Sequence, residues 1–366
     1  MEFIYTNPHF DVKDINTIEE IVRDNDPFVL SPSSIDDRYN LMGYIHAAKN
    51  LGIELRAILD NNILTRVISL ASGNPVPEEE NQANAYLLSS AVMAFLIIGK
   101  FEIEQRISIH EKRFSSNRSQ AERELHISRV ADNILVKEWI DVALGRKKEI
   151  SRDEINDSET RVASVNYENS DKSLLQTIKP WKINYYFVLK AIEIWKSSNN
   201  NLDNACKFIH WMEREWFFAA VPSIFIMVLF SPKRYSKMIK GIDSTTKEKL
   251  INGLQNAAWD LTYIRMWSSF YQASNLNRLW LLCSSDIALR SIAKMHFEDL
   301  KQSENPVLEQ LQEYWSASDA QRISDVYKKA LTDIANDKDK RQQMIKEKTA
   351  LIDDSITDLE AKVFGT

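Results

Sequence analysis

Cysteine is almost missing from this chain. Cys206 and Cys283 are the only two, both in apolar stretches, and neither sits in a CxxC or Cys/His spacing. That excludes a disulfide framework, argues against structural zinc, and points to a reducing, cytoplasmic compartment. Glycine and proline are scarce as well, at 8 and 9 of 366 residues. So few turn-formers predict a helix-rich fold with few tight β-turns. Excess positive charge is also lacking, since the formal net charge is −6. A globally basic nucleic-acid binder is excluded, and any contact with phosphates falls to a local patch. The first residues, MEFIYTNPHFDVKDI, have neither a basic n-region nor an apolar h-region, so no signal peptide is expected. The two apolar runs, Ala85 to Ile98 and Trp216 to Phe230, fall short of the roughly 18–20 residues needed to span a bilayer, and the second carries Pro222. Both are expected to be buried helices, with no membrane as partner.

The apolar and charged fractions suit a globular protein, and the length suits one elaborated domain or about two. The most telling stretch is Ile53 to Leu64, IELRAILDNNIL. Leu55, Ala57, Ile58 and Leu59 are too continuously apolar for an exposed edge, so residues 53–60 read as a central parallel strand. It ends in Asp60, and a helix follows over 62–71. Upstream, the pattern predicts a short helix over 18–23 capped by Thr17, a strand over 27–30, and a helix over 35–49 capped by Ser34. Downstream come a break at Gly73–Pro77, an apolar helix over 78–98, a short strand near Phe101–Glu104, and a helix over 107–114 carrying Glu111. One amphipathic helix is expected over 127–144, then a loop or link over 152–172. Helices are expected at 183–196, 202–218 and 247–271, the last carrying Asp260. The aromatic cluster Trp211, Trp216, Phe217 and Phe218 reads as core packing. A buried strand over 276–283 contains LWLLC and closes on Ser284-Ser285-Asp286, with a helix over 287–295. Two amphipathic helices, 307–315 and 320 to about 345, complete the tail.

Asp60 and Asp286 therefore stand at the ends of two buried strands. In an open parallel α/β sheet that is where ligands bind. Two carboxylates gathered there repel each other unless a cation neutralises them. Such an all-oxygen set suits Mg²⁺ or Mn²⁺. Asp260, set in an apolar helical stretch, needs a basic partner or a metal. Glu111 is a fourth candidate, with Glu104 as its rival.

These stretches resemble a known family. Asp60-Asn-Asn-Ile-Leu64 is similar to the opening motif of PIN-like nucleases, and Leu281-Leu-Cys-Ser-Ser-Asp286-Ile-Ala-Leu289 to their closing motif. Ala257-Ala-Trp-Asp260 resembles their helical Asp, and Ile103 to Glu111 the segment bearing their acidic helix residue. The resemblance implies an α/β, PIN-like core with a small central parallel sheet flanked by helices, inside a chain that is mostly α. It implies core segments 1–111 and 247–300, a mainly helical insertion at 112–246, and a helical tail at 301–366, as in the larger bacterial PIN-like proteins. Asp60, Glu111, Asp260 and Asp286 would then hold one or two Mg²⁺ or Mn²⁺ ions for hydrolysis of RNA. Asn62 and Ser285 would orient water or a ligand carboxylate. Arg66, Lys112, Arg113, Lys233, Arg234, Lys237 and Arg290 are the expected contacts to the nucleic-acid backbone. A second reading is a catalytically inactive PIN-like protein that serves as an interaction or nucleic-acid-binding module, and the C-terminal helices offer a route to a homo-oligomer.

Overall fold

The structure, a computed structural model, describes residues 11–31, 37–115, 118–164, 178–235, 238–244, 246–273, 277–300 and 306–365. The chain divides into two compact units, 1–177 with 267–287, and 178–266 with 288–366.

The first unit opens with α1 (Val12–Asn25), which starts earlier than the sequence pattern suggests. Asp11 caps it by accepting the Lys13 N–H at 2.9 Å, while the hydroxyl of Thr17 is spent on the Lys13 carbonyl inside the helix. Strand β1 (Phe28–Leu30) follows, then α2 (Leu41–Asn50), capped by Asn40. Ser34, the expected cap, lies outside the described residues. Strand β2 (Glu54–Leu59) leads through Asp60 into α3 (Asn61–Ala71) and α4 (Glu80–Ile98). Then come β3 (Glu102–Glu104) and α5 (Arg106–Ser115). The single helix expected over 127–144 is two, α6 (Arg118–Asn133) and α7 (Val136–Ala143). Their break is held by the buried Glu154, whose carboxylate accepts the Leu135 N–H at 2.9 Å. Glu154 itself belongs to α8 (Arg152–Ala163), a helix where a loop was expected. Ser151 caps it, and the buried Glu154 is neutralised by Arg161. A mostly polar pattern hides this helix, because one of the residues it buries is a paired acid.

The second unit is helical: α9 (Lys179–Ser197), α10 (Asn201–Arg214), α11 (Ala220–Leu229) and most of α12 (Lys247–Ala273). Strand β4 (Arg278–Cys283) returns to the first unit, and α13 (Ile287–Leu300) follows. The tail holds four helices rather than two: α14 (Pro306–Leu311), α15 (Ala317–Asn336), α16 (Lys338–Ala350) and α17 (Ile352–Phe364). Helix α17 buries Ile352, Leu359 and Val363 and lies along α9, where Lys182 pairs with Asp353 and the Tyr185 hydroxyl donates to Glu360 at 2.7 Å. Trp211, Trp216, Phe217 and Phe218 are all buried, and Trp211 stacks on Trp216 with centroids 6.1 Å apart.

Four strands form one sheet in the order β1-β4-β2-β3. β2 is central and parallel to both neighbours, as its unbroken apolar run implies. It pairs with β4 from Glu54↔Arg278 to Leu59↔Cys283, and with β3 over three residues. The sheet is mixed, however, not purely parallel, because β1 runs antiparallel to β4. Three residues suffice for an edge strand of either direction. On this sheet packs a core in which Phe95 of α4 meets Phe28 at 4.9 Å, and Tyr44 meets Phe101 at 4.9 Å. By length and composition alone α4, at 19 residues, is apolar enough to cross a membrane. Its residues Ser89 to Leu96 are buried in this core, which accounts for that composition.

His296 of α13 is buried, and burial lowers its pKa from 6.5 to about 4. The unfolded chain takes up this proton near pH 6.5 and the folded chain does not, so stability falls as the pH drops from about 6.5 towards 4. The full loss is roughly 3 kcal/mol at 1.36 kcal/mol per pH unit. Urea unfolding at pH 7 and pH 4.5 should show a fall in the wild type that is reduced in His296→Leu, with a remainder from His110, which burial also lowers to about 4. Equal falls in both would remove His296 as the cause.

Candidate functional site

The chain leaves β2 at Asp60, builds β3 on one side, and later returns to place β4 on the other. The strand order therefore reverses between β2 and β4, and the crevice outside their carboxyl ends is the place where ligands bind in such sheets. The parallel register pairs Leu59 with Cys283, and the ladder continues with the Asp60 N–H donating to the Cys283 carbonyl at 2.9 Å. Asp60 thus comes level with Ser284.

Asp60 is 3% exposed, and both its oxygens are engaged. Oδ1 accepts the Ile63 N–H at 2.8 Å and so caps α3, while Oδ2 accepts the Ser284 hydroxyl at 2.5 Å. The same Ser284 Oγ accepts the Asp286 N–H at 2.9 Å. One hydroxyl therefore ties the two strand ends together. Burial pushes the Asp60 carboxyl above the ordinary carboxylate range. The bonds from Ser284 and Ile63 and the positive charge of Arg66 pull it back, and the negative charge of Asp286 adds to the rise. Next to it the Cys283 thiol is pushed far up, by burial first and by the charge of Asp60 second, so it is no nucleophile.

Helix α5 is fastened to the same strand end. The Ser108 hydroxyl donates to the Leu59 carbonyl at 2.5 Å, and the Lys112 ammonium donates to the Thr65 hydroxyl of α3 at 2.8 Å. Glu111 is half-buried on this helix, one turn beyond Ser108. Its rival Glu104 is bound by Arg106, which donates through Nε at 2.7 Å and through its backbone N–H at 3.0 Å. Asp260 is half-buried in the part of α12 that belongs to the second unit. Asp60 and Asp286 are brought within reach of each other's charge. Among the described residues no three Asp, Glu, His or Cys side chains gather into a metal-binding group.

The expected orienting groups fall differently. Asn62 is exposed on the first turn of α3 and Ser285 is half-buried, whereas the hydroxyl on Asp60 is that of Ser284. Sequence offered two adjacent serines, and only strand register separates them. Ser108 carries no sequence signal, since its role is set by where α5 packs. Among the expected phosphate contacts, Arg66 and Arg113 are half-buried in the first unit. Lys112 is buried and ion-paired with Glu124 at 2.9 Å, so it is a fastening rather than an exposed cation. In the second unit Lys233 is exposed, Arg234 lies 5.5 Å over the Trp195 ring, and Arg290 is buried. Lys237 lies outside the described residues. Comparison of the chain with protein-family models, curated proteins and solved structures finds no match.

Ser284→Ala removes both bonds of the shared hydroxyl and leaves a buried carboxylate oxygen short of a donor. The expected cost is about 1–3 kcal/mol, read by urea unfolding at pH 7. A loss under about 0.5 kcal/mol, the scatter of ordinary surface substitutions, would show that the hydroxyl does not hold the strand ends together.

Proposed function

We propose that this chain hydrolyses phosphodiester bonds in nucleic acid, RNA before DNA, with Mg²⁺ or Mn²⁺ held at the carboxyl ends of β2 and β4. The observation that carries this reading is a buried Asp60, raised first by burial and in smaller part by the charge of Asp286, at the point where the strand order reverses. Two carboxylates close enough to feel each other's charge in such a place favour a cation beside them. The fit to a cation is adequate without a third protein ligand, because Mg²⁺ is commonly held by one or two carboxylates together with water and substrate phosphate. Each oxygen of Asp60 accepts one hydrogen bond and keeps a second lone pair free to coordinate.

Asp60 and Asp286 are the residues that would hold the ion, with Glu111 on the fastened helix as the further acid of the PIN-like pattern. When bound, the ion activates water and offsets charge on the scissile phosphate. Ser284 and the Ile63 N–H fix the orientation of the Asp60 carboxylate. The positive charge of Arg66, close enough to act on Asp60, would also act on a phosphate brought there. A reducing, cytoplasmic setting belongs to the same reading and is supported by two buried free thiols.

A second reading, an inactive PIN-like core serving as an interaction or nucleic-acid-binding module, is favoured by one observation. Among the described residues the acidic side chains form no group of three. Incubation of the full chain with single-stranded RNA, with and without Mn²⁺, separates the two. Cleavage that requires Mn²⁺ supports hydrolysis. RNA binding without cleavage, and no thermal stabilisation by Mn²⁺, would leave the inactive module.

A further inference from the structure

The second unit contains a groove of about 680 Å³ that the site at Asp60 does not explain. It is lined by α9, α10 and Arg322 of α15. Helix α10 gives it one continuous stripe, Asp203, Lys207, His210 and Arg214 at the spacing of successive helical turns, and α9 gives Lys190, Glu193, Ile194 and Ser197 at the same spacing. Its apolar part is Ile194 with the buried Cys206 and Trp211.

The charges in this groove do not cancel locally. Glu193 is held by Lys190, at 2.5 Å, and Asp203 by Arg322, at 2.9 Å. Lys190 also lies 5.3 Å over the Trp211 ring, so that face is occupied. His210 has the Glu213 carboxylate at 3.3 Å. Two cations remain on the α10 stripe. The Lys207 ammonium reaches the Ser197 hydroxyl at 3.3 Å, and Arg214 has no carboxylate within ion-pair distance among the described residues. Both are exposed, seven residues apart on one face, with only Glu215 at the groove's end opposing them. An ammonium and a guanidinium presented together favour a phosphate, the guanidinium through paired donors. The volume exceeds what a bare phosphate fills and matches the roughly 300–1,000 Å³ of small-molecule sites.

We propose that this groove binds a phosphorylated small molecule of nucleotide size, its phosphates on Lys207 and Arg214 and its remaining part along the α9 wall at Ile194 and Ser197. The inference is independent of the proposed hydrolysis. Calorimetric titration of the full chain in EDTA, which keeps divalent metal out, should detect binding of inorganic pyrophosphate and tighter binding of ATP. Lys207→Ala/Arg214→Ala should weaken both by about tenfold or more, since each lost contact is charge-assisted. Lys346→Ala, at an exposed cation outside the groove, should change neither. Because Lys207 and Arg214 are exposed, the double variant is expected to keep the wild-type melting temperature, and the comparison is read only between folded proteins. ATP binding no tighter than pyrophosphate would overturn the nucleotide-sized ligand. Absence of binding by both probes at millimolar concentration, or binding that the double variant leaves unchanged, would overturn the site itself. Single-stranded RNA bound through Lys207 and Arg214 while neither small probe binds would overturn it too, in favour of a nucleic-acid path.

Discussion

Asp60→Asn is expected to lower Mn²⁺-dependent RNA cleavage by roughly 10³-fold or more, as for loss of a group acting directly on the metal and reacting atoms, without weakening the fold. The two effects separate for a physical reason. Asparagine keeps the size of the side chain and an oxygen able to accept the Ile63 N–H, so the cap on α3 survives. Its amide then faces Ser284 Oγ, which can rotate to accept. What disappears is a charge placed where burial and Asp286 both disfavour it. A carboxyl whose pKa is raised on folding contributes stability that is lost as the pH rises through the folded value. Above that value the wild type has lost the contribution, and the variant has nothing to lose. Asp60→Asn should therefore be as stable as the wild type, or more stable by ~1 kcal/mol, which is a rise of about 2–4 °C for a unit of this size.

Metal supplies a second readout. An ion that binds the folded chain at 100 times its Kd stabilises it by about 2.7 kcal/mol. Mn²⁺ should raise the melting temperature of the wild type and leave that of Asp60→Asn unchanged, with Asp286→Asn behaving likewise. If both variants cleave RNA at the wild-type rate, or if Mn²⁺ stabilises all three proteins equally, the site at the ends of β2 and β4 is not where metal acts.

The other large effect is one of backbone packing in the second unit. Gly253→Ala is expected to destabilise the second unit by about 3 kcal/mol, although replacing a mid-helix glycine by alanine ordinarily stabilises by ~1 kcal/mol. A methyl at Gly253 would stand 1.7 Å from the Lys240 carbonyl oxygen and 2.8 Å from its carbon. Those atoms are backbone and cannot swing aside as the end of a side chain can. Helix α12 and the 240 segment would have to separate, and the packing they share would open. Asn256→Ala, exposed on the same helix, carries no such clash and should be neutral or stabilising by about 0.5 kcal/mol. Urea unfolding of the two variants side by side tests the claim, and a Gly253→Ala protein as stable as the wild type would refute the close approach.

Much of the architecture was legible in local pattern. The unbroken apolar run of β2 required a strand covered on both faces, and LWLLC required another. The scarcity of glycine and proline announced a helical chain. Those features are written in neighbouring residues, because burial on both faces and helical periodicity each leave a mark within a few positions. The edge strand β1 was legible too, but its antiparallel direction was not, since three residues pair equally well either way. Helix α8 was obscured because Glu154 is buried together with its partner Arg161, and in sequence a paired acid looks like an exposed one.

The candidate site divides along the same line. Sequence alone determined that Asp60 and Asp286 each close a buried strand and open a helix. Only the tertiary structure decided that these strands are neighbours, that Ser284 and not Ser285 carries the hydroxyl on Asp60, and that Lys112 is buried as a fastening of α5 to α3. The reason is register. The pairing of Leu59 with Cys283 joins residues more than two hundred positions apart, and a slip of one residue would turn every side chain of the strand to its other face.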